Sequence, residues 1–300
     1  MITLDFPSTT HVPVLLHEVI SGLQPEPGKR FIDGTVGLGG HASAILERIS
    51  PGGKLLGLDL DAEAIELSRA NLGCYGEAAI LINGSFTNIE NICAEYNFHP
   101  VDGILFDLGI SSLQLDTARR GFSFQREAAL DMRFDTTQGL TAADLVNTLS
   151  ESELARILRE YGEERYSHKI ARRIVQNRPI TTTLQLAQVV RQVLSSKHTR
   201  IHPATRTFMA LRIAVNNELD NLKVALNQTT NLLRPGGRLV IISYHSLEDR
   251  IVKQFMQREA VGESPALKLI ARKVIRPTSL EIESNPRSRS AKLRIAERLS

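Results

Sequence analysis

The pattern that most constrains this chain is an alternation of short, continuously apolar runs with helical stretches. It begins at residue 30, stops near residue 111 and resumes at residue 219. Arg30–Asp33 and residues 55–58, 79–82 and 104–108 read as strands. Between them, residues 41–49 and Ala62–Leu72 read as helices, the second carrying Ile65, Leu67 and Leu72 among polar neighbours. Strands that are apolar at successive positions, rather than at alternate ones, are covered on both faces. A parallel sheet with helices on each side supplies that cover. The expected fold class is α/β.

From residue 111 to about residue 217 no strongly apolar strand occurs. Residues 153–177 carry Leu154, Ile157, Leu158, Tyr161, Ile170, Ile174 and Val175 with Arg and Glu between them, and residues 184–194 and 204–215 also look helical. This predicts a helical insertion of roughly 100 residues, longer than an ordinary crossover and able to hold its own core. Strand signals then return. Residues 219–233 form an amphipathic helix, Pro235-Gly236-Gly237 a turn and residues 238–242 a fifth strand, with 267–275 and 291–296 expected as a closing antiparallel pair. The expected division is one sheet domain made of residues 1–112 and 218–300, interrupted by a helical domain of residues 113–217.

Charge follows the same division. The chain holds 36 basic and 33 acidic side chains, a net of +3. Residues 1–112 hold 5 basic and 14 acidic, residues 113–217 hold 16 and 10, and residues 265–300 hold 9 and 3. Basic segments gain by neutralising phosphates and releasing counterions, which suggests a polyanion partner; solvated helix faces are the plainer alternative. Two cysteines, Cys74 and Cys93, exclude a disulfide framework or a four-thiolate zinc site and read as reduced thiols. Residues 1–11 lack a basic segment followed by an apolar one, and no run approaches the roughly 20 apolar residues that cross a bilayer. A cytoplasmic location with no membrane partner is expected. A homodimer stays open as the assembly.

The first strand runs into Asp33-Gly-Thr-Val-Gly37-Leu-Gly39-Gly40-His41, which opens a helix. Asp59 ends the next strand, where a carboxylate can accept hydrogen bonds from a ribose diol. Gly37-x-Gly39-x-x-Ala42 also fits the dinucleotide fingerprint. A tight structural turn would use glycines too, but Asp33 and Asp59 at successive strand ends favour a nucleotide. Both a nicotinamide dinucleotide and S-adenosylmethionine stay open here. The strongly acidic surround suits a ligand with no pyrophosphate, and so favours the methyl donor.

The fourth strand ends in Asp102-Gly-Ile-Leu-Phe-Asp107-Leu-Gly-Ile-Ser111-Ser112, at the sheet edge where open α/β folds place their active sites. A carboxylate followed by a tight turn can hold an exocyclic amine near a methyl donor; a strand-capping Asp is the plainer reading. Together with His11-Val-Pro-Val-Leu-Leu16, Gln114-Leu-Asp116, Arg120-Gly-Phe-Ser-Phe124, Leu130-Asp-Met-Arg133, Tyr161-Gly-Glu-Glu-Arg165, His202-Pro-Ala-Thr-Arg206, Ala210-Leu-Arg-Ile213, His245-Ser-Leu-Glu-Asp-Arg250 and Asn285-Pro-Arg-Ser-Arg-Ser-Ala-Lys-Leu-Arg294, these residues make a set covering nearly the whole chain in one order. In that set the chain resembles the bacterial small-subunit ribosomal RNA cytosine-N4 methyltransferases, the methyltransferase H type. It departs from their pattern at Val36, Met209 and Tyr244, where Phe, Gln and Phe are expected.

The resemblance implies a class I S-adenosylmethionine-dependent methyltransferase, with a Rossmann-like sheet and an inserted helical domain that recognises substrate. It implies a cytidine of 16S rRNA in the decoding region of the small ribosomal subunit as target. It further implies that Gly39, Gly40, His41, Asp59, Phe86, Asp107 and Gln114 hold the methyl donor. Cytosine N4 is a poor nucleophile because its lone pair is delocalised into the ring. A carboxylate accepting an N4 hydrogen bond would localise that pair, and Asp107, with the turn at residues 109–112, is the first candidate. His245 could accept the departing proton or contact the base, with local capping as its alternative. His245, Glu248 and Asp249 have helical spacing but lack further metal ligands, so no metal is expected. Phe122, Phe124 and Tyr244 are candidate stacking surfaces for the target base, against a default of core packing. Residues 165–178, 200–212 and 287–298 are the candidate phosphate contacts. The rival readings are a nicotinamide-dependent dehydrogenase, a non-catalytic RNA-binding module and a DNA amino-methyltransferase.

Overall fold

Residues 12–137, 139–194 and 202–300 of the computed structural model are described. His11, which opens one matching motif, and Arg200 therefore lie outside the described residues. Two compact units are present. One comprises residues 1–59, 65–109 and 228–300; the other comprises residues 60–64 and 110–227.

The first unit is built on a seven-stranded sheet. Its strands are β1 (Arg30–Asp33), β2 (Lys54–Asp59), β3 (Ala79–Asn83), β4 (Val101–Asp107), β5 (Leu233–Ser243), β6 (Leu267–Leu269) and β7 (Lys292–Arg298). They lie in the order β3-β2-β1-β4-β5-β7-β6. The first five are parallel, with Phe31 opposite both Leu55 and Gly103. β7 runs antiparallel to β5 and to β6. The continuous apolar runs are explained by burial: every residue of β4 from Val101 to Phe106 is buried, and only Asp107 emerges. The strand order reverses between β1 and β4, the switch point at which open α/β sheets take ligands.

The helices of this unit include α1 (Leu16–Leu23), α2 (Gly40–Ile49), α3 (Ala62–Leu72) and α4 (Ile89–Glu95). The helix read over Ala62–Leu72 has those same bounds. The turn expected at Pro235-Gly236-Gly237 is instead absorbed into β5, where the register against β4 slips between Val101 and Gly103. Gly236 takes a φ of +80° within that irregularity. The expected strand over residues 267–275 is shorter, ending at Leu269, with Ile275 making an isolated bridge to Leu293.

The second unit is helical. After a short α5 (Ser112–Asp116) come α6 (Ala142–Thr148), α7 (Glu151–Glu160), α8 (Ser167–Gln176), α9 (Thr183–Leu194) and α10 (Thr205–Asn216), and α11 (Glu218–Leu232) leads back to β5. The single helical pattern read over residues 153–177 is two helices, broken where Glu163 takes a φ of +47°. Ser150 and Glu153 close a capping box at the start of α7, as Thr141 and Asp144 do for α6. Leu154, Leu158, Ile170, Ile174, Leu186, Val190, Phe208 and Leu211 share one buried core. The insertion thus carries its own apolar interior. In the sheet unit, α12 (Ser246–Glu259) follows β5, and a short α13 (Ser279–Ser284) precedes β7. No helix among the described residues is long and apolar enough to cross a membrane.

Candidate active site

The glycine loop turns directly out of β1. Gly34 sits against the Phe106 ring, and a Cβ there would fall 2.3 Å from it. Gly39 caps α2 with a φ of +86°, a left-handed conformation that costs glycine little. Loop and sheet are tied at three points. The Val36 amide donates to the Leu58 carbonyl at 2.8 Å. The Gly37 amide donates to Asp59 Oδ2 at 2.9 Å. The Asp107 amide donates to the Thr35 hydroxyl at 2.6 Å.

Three carboxyls and an imidazole meet at this carboxyl edge of the sheet. Asp33, fully buried, accepts the Thr35 amide at 3.1 Å. Burial pushes its carboxyl up to about 7; His41 opposes that rise, while Asp107 and Asp59 add to it. His41 is buried at the start of α2, with Nε2 3.5 Å from Asp107 Oδ2, too poorly placed for a hydrogen bond. Neither of its ring nitrogens has a hydrogen-bond partner among the described residues. Across the strand end, the Tyr244 hydroxyl donates to Asp107 Oδ1 at 2.8 Å. Phe86 follows β3, its ring centroid 5.6 Å from that of Phe106.

Gly39, Gly40, His41, Asp59, Phe86 and Asp107 therefore all belong to the sheet unit. Gln114 belongs to the helical unit. There its Oε1 accepts the Ser111 amide at 3.1 Å, and its Nε2 donates to Asp61 Oδ2, also at 3.1 Å. Asp61 in turn takes the buried Arg120 guanidinium at 2.6 Å.

His245 is the N-cap of α12. Its Nδ1 accepts the Glu248 amide at 3.4 Å, its Nε2 lies 3.1 Å from Glu248 Oε1, and Glu248 Oε2 accepts the Tyr244 amide at 2.9 Å. Asp249, third of the helically spaced trio, pairs with Arg294 at 2.7 Å. Capping engages His245 Nδ1, whereas its buried Nε2 has no hydrogen-bond partner among the described residues.

The candidate stacking aromatics are all engaged. Phe122 is buried and stacked on Phe134, with centroids 5.6 Å apart. Phe124 stacks on His202 at 4.4 Å. Tyr244 packs along Gly109, and a Cβ there would lie 3.2 Å from its ring. The basic segments also divide. Arg294 and Arg298 serve the sheet unit, Arg298 donating to the Ala266 carbonyl at 2.9 Å. Arg212 forms a two-pronged pair with Glu218 at 2.7 and 2.8 Å. By contrast, His168, Lys169, Arg172 and Arg173 line an open groove on α8, flanked by Val193 of α9.

Thr35, Asp61 and the Tyr244 hydroxyl were not singled out from the sequence as site residues, whereas Asp33 was noted beside Asp59 at a strand end. Thr35 lies in the loop motif itself and could have been. Nothing in spacing announces that residue 35 meets residue 107, or that residue 244 does.

The loop fits an adenosyl methyl donor on this structure's own terms. Gly39 is left-handed at the mouth of α2, Asp59 stands at the end of β2, and the buried His41 ring offers nitrogens that have no hydrogen-bond partner among the described residues. Comparison with known proteins agrees. The model of the MraW methylase family matches residues 8–299. A protein of Dehalococcoides mccartyi named ribosomal RNA small subunit methyltransferase H is 53% identical over 302 residues, 96% of this chain and 86% of that one. A protein of the same name from Syntrophotalea carbinolica is 53% identical over 307 residues, covering 96% and 98%. Another, from Thermomicrobium roseum, is 50% identical over 309 residues, covering 98% and 95%. Among solved structures, a putative rRNA methylase from Clostridium thermocellum superposes with a TM-score of 0.49 at 13% identity, over 96% of this chain and 100% of that one.

Proposed function

The chain belongs to the MraW methylase family, and from that premise we propose that it transfers the methyl group of S-adenosylmethionine to N4 of a cytidine in the decoding region of 16S rRNA, in the cytoplasm. The observation that carries this reading is Asp107 at the carboxyl end of β4, held by the Tyr244 hydroxyl on one oxygen and facing His41 with the other. In the bound state S-adenosylmethionine supplies an electrophilic methyl on a sulfonium.

Gly39, Gly40 and His41 at the start of α2 bind the donor, with Asp59 at its ribose, Phe86 at its adenine and Gln114 completing the set. Positioning the amine in line with that methyl supplies much of the acceleration. Asp107 accepts a hydrogen bond from N4, localises the nitrogen lone pair and takes the proton that N4 loses as the N–C bond forms. His245 shapes the turn that carries Tyr244. The substrate contacts come from the helical domain of residues 113–217, through the groove of Lys169, Arg172 and Arg173 on α8. RNA phosphates are its natural occupants.

Methyl incorporation into naked 16S RNA, assembled small subunits and DNA, measured side by side, tests the substrate. Transfer to either RNA form and not to DNA supports the reading; transfer to DNA alone refutes it. A thermal shift with S-adenosylhomocysteine and none with NAD is expected, and the reverse would favour a dehydrogenase.

A further inference from the structure

Asp107 shares its corner of the sheet with two other carboxyls. Asp33 ends β1 and Asp59 ends β2, and Asp33 feels both Asp107 and Asp59 electrostatically. Burial is the main reason that the Asp33 carboxyl is pushed up to about 7, although it accepts the Thr35 amide. Asp107 receives a phenolic hydroxyl at 2.8 Å.

That hydroxyl is built in rather than incidental. The Tyr244 ring is clamped along Gly109, whose φ is +103°, and the Tyr244 amide is fixed by Glu248 Oε2 at 2.9 Å. A carboxylate at a strand end otherwise rotates broadly about its last side-chain bond. With Oδ1 pinned, Oδ2 is the oxygen turned towards His41. The phenol also stays a donor, because burial and the adjoining Asp107 carboxylate push its ionisation well above the usual tyrosine range, with Glu248 and Glu281 adding to the effect.

We propose that Tyr244 is a positioning residue for methyl transfer: its hydroxyl orients Asp107 through Oδ1 and leaves Oδ2 to face the target amine. The proposal rests on Asp107 as the N4 acceptor and deepens that reading. In this arrangement Tyr244 acts through Asp107. Among the described residues Asp33 from β1, His41 from α2 and Tyr244 after β5 bear on Asp107.

The test is Tyr244→Phe beside Asp107→Asn, in the full-length protein. Tyr244→Phe removes one oxygen and keeps the ring on Gly109. It is expected to hold S-adenosylhomocysteine within about twofold of the parent, because the hydroxyl serves Asp107 and not the ligand. Its kcat should fall about tenfold, as expected for losing one charge-assisted hydrogen bond in the transition state.

A second readout needs no turnover. The chain has 5 tyrosines, so the phenolate absorbance step missing in Tyr244→Phe belongs to Tyr244. That step should move to lower pH in Asp107→Asn, where the neighbouring charge is gone. A Tyr244→Phe enzyme with the parent's kcat, beside an inactive Asp107→Asn, overturns this proposal alone. Equal losses of ligand affinity and kcat in Tyr244→Phe also overturn it, since they mark a prop for the pocket. A fully active Asp107→Asn overturns the underlying reading with it.

Discussion

The Asp107 amide donates to the Thr35 hydroxyl at 2.6 Å. This bond joins the glycine loop to the end of β4, so the segment proposed to hold the donor and the residue proposed to face the amine share one support. Thr35→Val keeps the shape and deletes the acceptor. It leaves a half-buried amide without a partner, at a cost of about 1–3 kcal/mol. Loss of thermal stability together with weaker S-adenosylhomocysteine binding is expected, with Thr35→Ser close to the parent in both; calorimetry reads both quantities.

Asp33 gives the sheet unit a defined pH dependence. Its carboxyl is raised from 3.8 to about 7, so the folded state binds a proton that the unfolded state has released. That contribution is fully present below about pH 4 and is lost as pH rises to about 7, amounting to on the order of 4 kcal/mol across the window. Asp33→Asn keeps an acceptor for the Thr35 amide and never ionises. In the ligand-free protein it should melt close to the parent at pH 4 and several degrees above it at pH 8. Chemical denaturation at the two pH values checks the sign.

In the helical unit, Arg120 and Asp61 form a buried pair at 2.6 Å, each less than a tenth exposed. Arg120 also donates to the Arg133 and Phe134 carbonyls at 3.2 and 2.9 Å. Removing one partner of such a pair strands the other charge, so Arg120→Ala should cost about 3–5 kcal/mol. Arg119→Ala, whose partner Glu63 is half-exposed to solvent, should cost about 1 kcal/mol or less. Urea unfolding of the two variants measures the contrast.

The sheet was legible because its burial is written into composition: β4 runs apolar from Gly103 to Phe106, and α3 buries Ile65 and Leu72 among polar neighbours. The insertion was legible as helical, but its internal break was not. Tyr161-Gly162-Glu163 interrupts a pattern whose apolar spacing continues through both α7 and α8. At the site, the motif residues of the glycine loop and Asp107 declared themselves by position at strand ends. Tyr244 was noticed for its ring, as a stacking surface, whereas the structure engages its hydroxyl. That bond, like the one between Asp61 and Arg120, spans parts of the chain far apart in sequence. Only folding brings such partners together, and no local periodicity records them.

If RNA phosphates occupy the α8 groove as proposed, RNA affinity falls as salt is added. Deleting one phosphate-binding cation should lower the slope of log affinity against log salt by roughly 1. Lys169→Ala with Arg172→Ala should therefore flatten the slope by about 2 while leaving S-adenosylhomocysteine binding unchanged. Filter binding across a salt series measures it, and an unchanged slope removes the groove from the RNA interface.

The most direct measurement is nucleoside mass analysis of small-subunit RNA after reaction with S-adenosylmethionine, using the parent and Asp107→Ala at saturating donor and RNA. The account predicts N4-methylcytidine from the parent, at a single decoding-region cytidine, and a loss of about a hundredfold or more in its rate of formation with Asp107→Ala. Methyl found on another atom of the RNA, or near-normal N4-methylcytidine from Asp107→Ala, would contradict it.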